Sequence, residues 1–354
     1  MEIIASSKDP ELTPLVSVII VSRIFPNENL DEMLDSTRKF SFKYEIIIVL
    51  SEIQTGTNVK GYLLDRIKSL PNLVKGKIVL TNYDKGVSFG RNLGTALAES
   101  ANLLFADDDI VVTEDVVPLL QFLESNECQG VQPLTLRFSN PEIIDSAGDF
   151  VKKDKRGLLY FPYSRGMGRP INEVREDLYV EEIPSMRSAF MIVRKEAFWA
   201  VGGFDSTFEF GYEDVDLGWR MIVAGNKLLF VPTVIVFHKG GRSTDSKRGD
   251  EKAEIMHLVN YYIMQLKITN HLWPYILLEF SIKMLNYELW KMRKRKTGFV
   301  GAIMGILTIN KLFFERVKFM PMNKRMLAKI SLLRGGQKLR EFAGGRRFIH
   351  IEHD

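Results

Sequence analysis

Asp107, Asp108 and Asp109 stand together just beyond a short apolar run, and Glu213, Asp214 and Asp216 share a second acidic stretch, GYEDVDLGWR. Three adjacent carboxylates repel one another, and nothing about folding requires them there. A divalent cation, a hard ion that prefers oxygen ligands, would relieve that repulsion. Mg2+ or Mn2+ held this way can neutralise the charge that gathers on a departing diphosphate. In extended backbone alternate residues point the same way, so Asp107 and Asp109 can face one ligand while Asp108 points elsewhere. Read alone, the triplet serves equally well as a solvated acidic turn ahead of a helix near Thr113.

These groups need a frame. The first half of the chain alternates short β-rich runs, at 15–22 (LVSVIIVS), 44–50 (YEIIIVL), 77–81 and 103–106, with stretches at helical spacing, at 28–39, 59–69 and 87–100. Runs that are apolar throughout belong to strands covered on both faces. The pattern therefore predicts an α/β/α sandwich with a mainly parallel central sheet, whose ligands sit at the carboxyl ends of the strands. The aspartate triplet lies at such an end. Residues 137–182 are polar, rich in Gly and Pro, and aperiodic, which suits hairpins or a functional loop region. Further strands are expected at 187–193 and 231–237, and a helix at 213–224. Beyond Asp250 the pattern is helical nearly to the end.

The letters of the triplet fit two enzyme classes. Asp107-Asp-Asp109-Ile-Val111 satisfies D-x-D-x-[TV] and so resembles the haloacid dehalogenase phosphatases, but the Gly249-Asp250 pair sits in a polar stretch where that fold wants it after a strand. The later sequence favours the other class. Gly202-Gly-Phe-Asp205, then Glu213-Asp-Val-Asp216-Leu with Trp219-Arg220 and Ala224-Gly225, is similar to the GGFDE…EDVDLxxR…G signature of family 2 glycosyltransferases, and resembles their rhamnosyltransferase-like branch. His238 with Gly241 and Ser243 resembles the family's H-x-x-G-x-S ending. Gly86 through Arg91-Asn92-Leu-Gly94 resembles its G-x-x-x-x-R-N-x-G helix start. The four motifs keep the family's order across about residues 15–245.

The resemblance implies a GT-A nucleotide-sugar-binding domain at 10–250, with a basic, mainly helical region at 251–354. It implies an inverting, metal-dependent transfer from a UDP-, dTDP- or GDP-linked donor to a hydroxyl of a glycan or lipid-linked acceptor. Such a transfer needs a carboxylate to take the acceptor's proton and a cation on the leaving diphosphate. By this likeness Asp214 is the base and Glu213 the reserve, while Asp109 and His238 hold the metal. Donor contacts fall to Asp107, Asp108, Ser22, Arg23, Glu52, Gly86 and Arg91. Arg91 could offer its fork to phosphate or make a plain salt bridge. Gly86 and Gly90 would let the chain approach the nucleotide. Asp205 reads as a structural cap, and Trp219 and Phe210 as packing. Leu50 stands where relatives carry a base-reading aspartate, so the nucleotide stays open, as does a non-catalytic nucleotide-sugar-binding relative. A sugar nucleotidyltransferase would want a Gly-rich, Arg-containing loop where this chain has SRIFPNE.

Composition bounds the rest. The 354 residues are 45% hydrophobic and 26% charged, ordinary for a globular protein with a full core. Cys128 is the only cysteine, which excludes an intramolecular disulfide framework and a Cys-based zinc site and suits a reducing compartment. The start, MEIIASSKDPELTP, lacks the basic and apolar pattern of a signal peptide, so a cytoplasmic location is expected. The net charge of +4 is uneven: from Leu266 to Asp354 there are 18 Lys/Arg against 6 Asp/Glu, about +12, leaving the remainder near −8. A basic tail on an acidic body suits an anionic partner. No zinc module or helix-turn-helix pattern supports nucleic acid, and the apolar run at 298–310 is too short to span a bilayer. Trp273, Tyr287 and Trp290 beside the basic cluster at 291–296 are what a helix on an anionic membrane surface would use. A helical bundle packed on the body is the alternative.

Overall fold

Strand pairs β2 (Val16–Phe25) and β3 (Tyr44–Ile53) show why their runs are apolar throughout. Val16, Val18 and Ile20 join Ile46, Ile48 and Leu50 in one core, while Ile19, Ile47 and Val49 point into a second core across the sheet. Side chains alternate along a strand, so a sheet buried on both faces needs an apolar residue at nearly every position. Each fully buried side chain of this size contributes about 1.5–3 kcal/mol relative to exposure. The computed structural model describes residues 2–7, 11–25, 27–53, 59–81, 84–125, 128–156, 158–240, 251–268, 272–294 and Ile309.

Helices α1 (Glu28–Ser36) and α2 (Val59–Lys68) cover the first core with Leu30, Met33, Leu34, Leu63 and Ile67. Helix α3 (Gly86–Leu97) lies on the other face, so close to β2 that a Cβ on Gly90 would meet Val21 at 2.7 Å. The strands β4 (Leu73–Leu80), β3, β2 and β5 (Asn102–Asp107) run parallel, and β1 (Glu2–Ser7) adds an antiparallel edge. Strand β1 has no counterpart among the expected strands, because EIIASS is short and mixed. The predicted strands at 15–22, 44–50, 77–81 and 103–106 are all present, as are the helices between them.

Beyond β5 come β6 (Ile110–Val112), α4 (Val117–Ser125), β7 (Gly130–Arg137), β8 (Asn140–Ser146), β9 (Asp149–Lys153), β10 (Tyr160–Ser164), β11 (Glu181–Glu182) and β12 (Phe190–Arg194). Then follow α5 (Lys195–Ala200), α6 (Glu213–Val223) and β13 (Leu228–His238). The large sheet has the order β1-β4-β3-β2-β5-β12-β7-β13-β11, with β12 antiparallel to both neighbours and β13 parallel to β7. The carboxyl ends of β2, β5 and β13 therefore reach the same edge. The aperiodic segment 137–182 holds strands β8 to β11 and two short 3-10 turns, with β9 and β10 forming a separate hairpin.

Helices α7 (Glu251–Ile268) and α8 (Trp273–Arg293) follow. Tyr261, Tyr262, Ile276, Phe280 and Met284 share a third core with Val151 and Tyr160 of the hairpin and Val215 and Trp219 of α6. Trp219 is 1% exposed and edge-on to Tyr160, a packing residue as its helical spacing suggested. Lys267 of α7 reaches Asp205 at 2.8 Å and Asp216 at 2.5 Å, so the helix is bolted to the motif region.

Candidate active site

Pairing of β6 with β13 sets Ile110 opposite His238, which brings Asp109 beside the imidazole. Nε2 of His238 lies 3.2 Å from Oδ1 of Asp109, and its Nδ1 lies 2.9 Å from Oδ2 of Asp145 on β8. Burial works against charge on this ring, but the two carboxylates outweigh it and push its pKa up to about 10. A proton thus sits where a cation is wanted. Asp107 closes the group: one ligand atom each from Asp107, Asp109 and His238 lie within 4.8 Å of one another. Two carboxylate oxygens and an imidazole nitrogen could hold a divalent cation such as Mn2+ or Mg2+, and the Asp145 carboxylate behind the imidazole leaves Nε2 as the ring nitrogen that would face it.

Arg91, only 3% exposed, joins the two acidic stretches. Its guanidinium donates to Asp107 Oδ1 at 2.7 Å and to Glu213 Oε1 at 3.0 Å. Burial opposes its charge, yet the two carboxylates raise its pKa further. Asp107, half-buried, is held above the ordinary carboxylate range by desolvation against the pull of Arg91. Of the alternatives open for Arg91, the salt bridge is the contact the fold makes.

Asp214 occupies the first turn of α6, after Tyr212 in the left-handed region at φ 69°. That conformation is uncommon outside glycine and turns the chain sharply into the helix. Asp214 accepts from the Ser188 N–H at 3.3 Å and from the Val215 N–H at 2.8 Å. Desolvation first, then Glu213 and Asp149, raise its pKa to about 7 in spite of Arg187. Glu213 is more enclosed, bonded to Arg91 and at 3.5 Å from Ser188 Oγ. Arg187 lies 3.7 Å from Asp145 and 3.7 Å from Asp149, linking the histidine side to the Asp214 side.

Asp108 faces away from this group. Its Oδ2 accepts from Ser22 Oγ at 2.6 Å and from Asn27 Nδ2 at 2.6 Å, at the end of β2. Burial, opposed by those two bonds, leaves its pKa up at about 6. Arg23 pairs with Asp84 at 3.2 Å on the surface. Gly86 takes φ 83°, and a Cβ there would stand 2.5 Å from the Glu209 backbone, so that space is filled by the chain itself. Leu50 is fully buried in the first core. The side chain of Glu52, with Gly241 and Ser243, lies outside the described residues. Asp205 accepts from Thr207 as a cap does, and also holds Lys267. Asp145, Asp149, Arg187, Ser188 and Asn27 carry no motif; only proximity in the fold selects them.

The family profile described as Glycosyltransferase like family 2 matches residues 17–248. A pre-mycofactocin glycosyltransferase of Mycobacterium tuberculosis is 31% identical over 156 residues, which is 44% of this chain and 30% of that protein. An N-acetylglucosaminyl-diphospho-decaprenol L-rhamnosyltransferase of the same organism is 44% identical over 54 residues, 15% of this chain and 18% of that protein. The chain thus spans less than a third of the length of the curated relatives it matches. The crystal structure of GalNAc-T7 with UDP, GalNAc and Mn2+ superposes with a TM-score of 0.53 at 20% identity, over 73% of this chain and 48% of that one.

Proposed function

The chain belongs to glycosyltransferase family 2, and from that premise we propose that it moves a sugar from a nucleotide-sugar donor to an acceptor hydroxyl with inversion, dependent on Mg2+ or Mn2+. The observation that carries this reading is the convergence of Asp107, Asp109 and His238 at the carboxyl ends of β5 and β13, tied through Arg91 to the start of α6. Asp107, Asp109 and His238 would hold the cation, which would supply positive charge for a leaving diphosphate. Asp145 holds the His238 ring with Nε2 toward Asp109. Arg91 keeps Asp107 aligned with the site. Asp214, with its raised pKa, takes the proton of the attacking hydroxyl, and the Ser188 N–H steadies its carboxylate. Asp108, which accepts from Ser22 and Asn27 at the end of β2, stands on the donor side in this reading.

The donor base is left to measurement, because Leu50 offers no polar group to read it. A lipid-linked or polysaccharide acceptor and a place on the cytoplasmic face of a membrane complete the reading. The phosphatase alternative is not favoured, since the matched family and the fold are those of sugar transfer. The test is thermal melting with Mn2+ or Mg2+ and a panel of UDP-, dTDP- and GDP-sugars, beside Asp109→Ala. Metal-dependent stabilisation by one nucleotide class, absent in the variant, is the expected result. No shift with any donor would count against donor binding and leave a degenerate relative that binds none of these donors.

A further inference from the structure

Helix α8 is apolar on two opposite faces. Ile276, Phe280 and Met284 are buried against the body, as the core requires. On the far side Leu278, Ile282, Leu285 and Leu289 recur at spacings of four, three and four, a stripe along one face of the helix. Each is about half exposed, from 46% at Leu289 to 59% at Leu278. Trp273 and Trp290, at the two ends of the helix, are 57% and 45% exposed. Folding the body does not call for this second stripe. An apolar outer face on a helix whose inner face is already packed marks a contact with something else.

The charges around the stripe say what that is. Arg156, in the turn of the β9–β10 hairpin, bonds the Tyr275 hydroxyl at 2.8 Å and Glu279 at 3.4 Å, so the hairpin turn lies against this helix. Lys153, Lys155 and Arg156 are all exposed there, as are Lys283 and Arg293 on α8 and Lys294 just beyond its end. The nearby acids are engaged within the protein. Glu279 is held by Arg156, Glu288 is buried beside Lys291 at 3.4 Å, and Asp154 accepts from the Leu158 and Leu159 amides. Among the described residues no helix is long and apolar enough to cross a membrane. We infer that the outer face of α8, with the β9–β10 turn, is a docking surface for an anionic lipid bilayer, the stripe entering the headgroup boundary and the cations meeting lipid phosphate. The inference deepens the membrane placement given above, but its test is read with no donor or acceptor present.

The full chain should sediment with vesicles of phosphatidylcholine and phosphatidylglycerol in equal parts, less so as salt rises, and stay in solution with phosphatidylcholine alone. Replacing Leu278, Ile282, Leu285 and Leu289 together by Ser should lower the vesicle partition roughly tenfold or more. Lys153→Glu with Lys155→Glu should lower it by about as much. Both variants should keep the parent melting temperature and any donor-dependent shift, which separates this face from the active site. Absence of binding to the anionic vesicles, or binding indifferent to the stripe, would overturn the proposal. So would a dimer of the parent chain that the Ser variant abolishes, which gives the face to a second copy. A large fall in melting temperature of the Ser variant would overturn it too, by showing the stripe already covered by the chain itself.

Discussion

Nδ1 of His238 lies 2.9 Å from Oδ2 of Asp145, a residue 93 positions earlier in the chain. A carboxylate behind a ligating imidazole fixes its tautomer and orientation, and its loss commonly weakens metal binding about 10–100-fold. Asp145→Ala should therefore raise the dissociation constant for Mn2+ by about that factor, with Asp145→Asn in between because its amide oxygen still accepts from Nδ1. Mn2+ titration followed by electron paramagnetic resonance, with no donor added, gives the number. An unchanged constant in the alanine variant would remove Asp145 from the site.

How much of this was legible in the sequence follows from what each signal depends on. The parallel strands were readable because burial on both faces writes an unbroken apolar run. Asp107, Asp109, Asp214 and His238 stand out as candidates because they sit in motifs of fixed spacing, and the fold brings Asp107, Asp109 and His238 together. Asp145 and Arg187 were not, since they lie in or beside the aperiodic stretch at 137–182 and meet His238 and Asp214 only through strand pairing. Arg91 stands in a motif, but nothing in one sequence could say that two carboxylates, 16 and 122 positions away, would share it. The role of the glycines was equally out of reach, because Gly86 answers to the Glu209 backbone 123 positions away.

Arg91 is the only described cation bonded to either Asp107 or Glu213. Removing one partner of a buried ion pair leaves an uncompensated charge and costs about 3–5 kcal/mol. Arg91→Met should lose about that much stability in urea denaturation without metal. Arg91→Lys should recover only part of it, since a single ammonium cannot reproduce two divergent N–H bonds. A loss below about 1 kcal/mol for the Met variant would mean the bridge is not structural.

Lys267 makes a comparable bridge between Asp205 and Asp216, with its side chain 7% exposed. Lys267→Met should destabilise the protein by about 3–5 kcal/mol for the same reason. Adding Asp205→Asn should restore most of the loss, because Asp216 keeps Arg220 at 2.6 Å and Asp205 is the charge left stranded. Denaturation of both variants checks this, and additive losses in the double variant would contradict it.

Asp214 ties pH to both stability and rate. Its pKa is raised from 3.8 to about 7, chiefly by burial, so the folded protein holds a proton there that the unfolded chain releases. The stabilising share of this group is thus fully present below its unfolded pKa and is lost as pH rises through the folded one. Asp214→Asn, neutral at every pH, should match the parent below about pH 4, gain on it as pH rises toward 7, and stay the more stable protein above that, by on the order of a few kcal/mol. For transfer the sign is opposite, because a base must be ionised before it can take a proton. The rate of the parent enzyme should fall on the acid side with a midpoint of about 7, and Asp214→Asn should lose about 10²–10⁴-fold. Melting temperatures and sugar-transfer rates measured on both proteins across the same buffers test the two signs together. A gain in stability with no loss of rate would leave Asp214 a desolvated carboxylate but would move the base to Glu213.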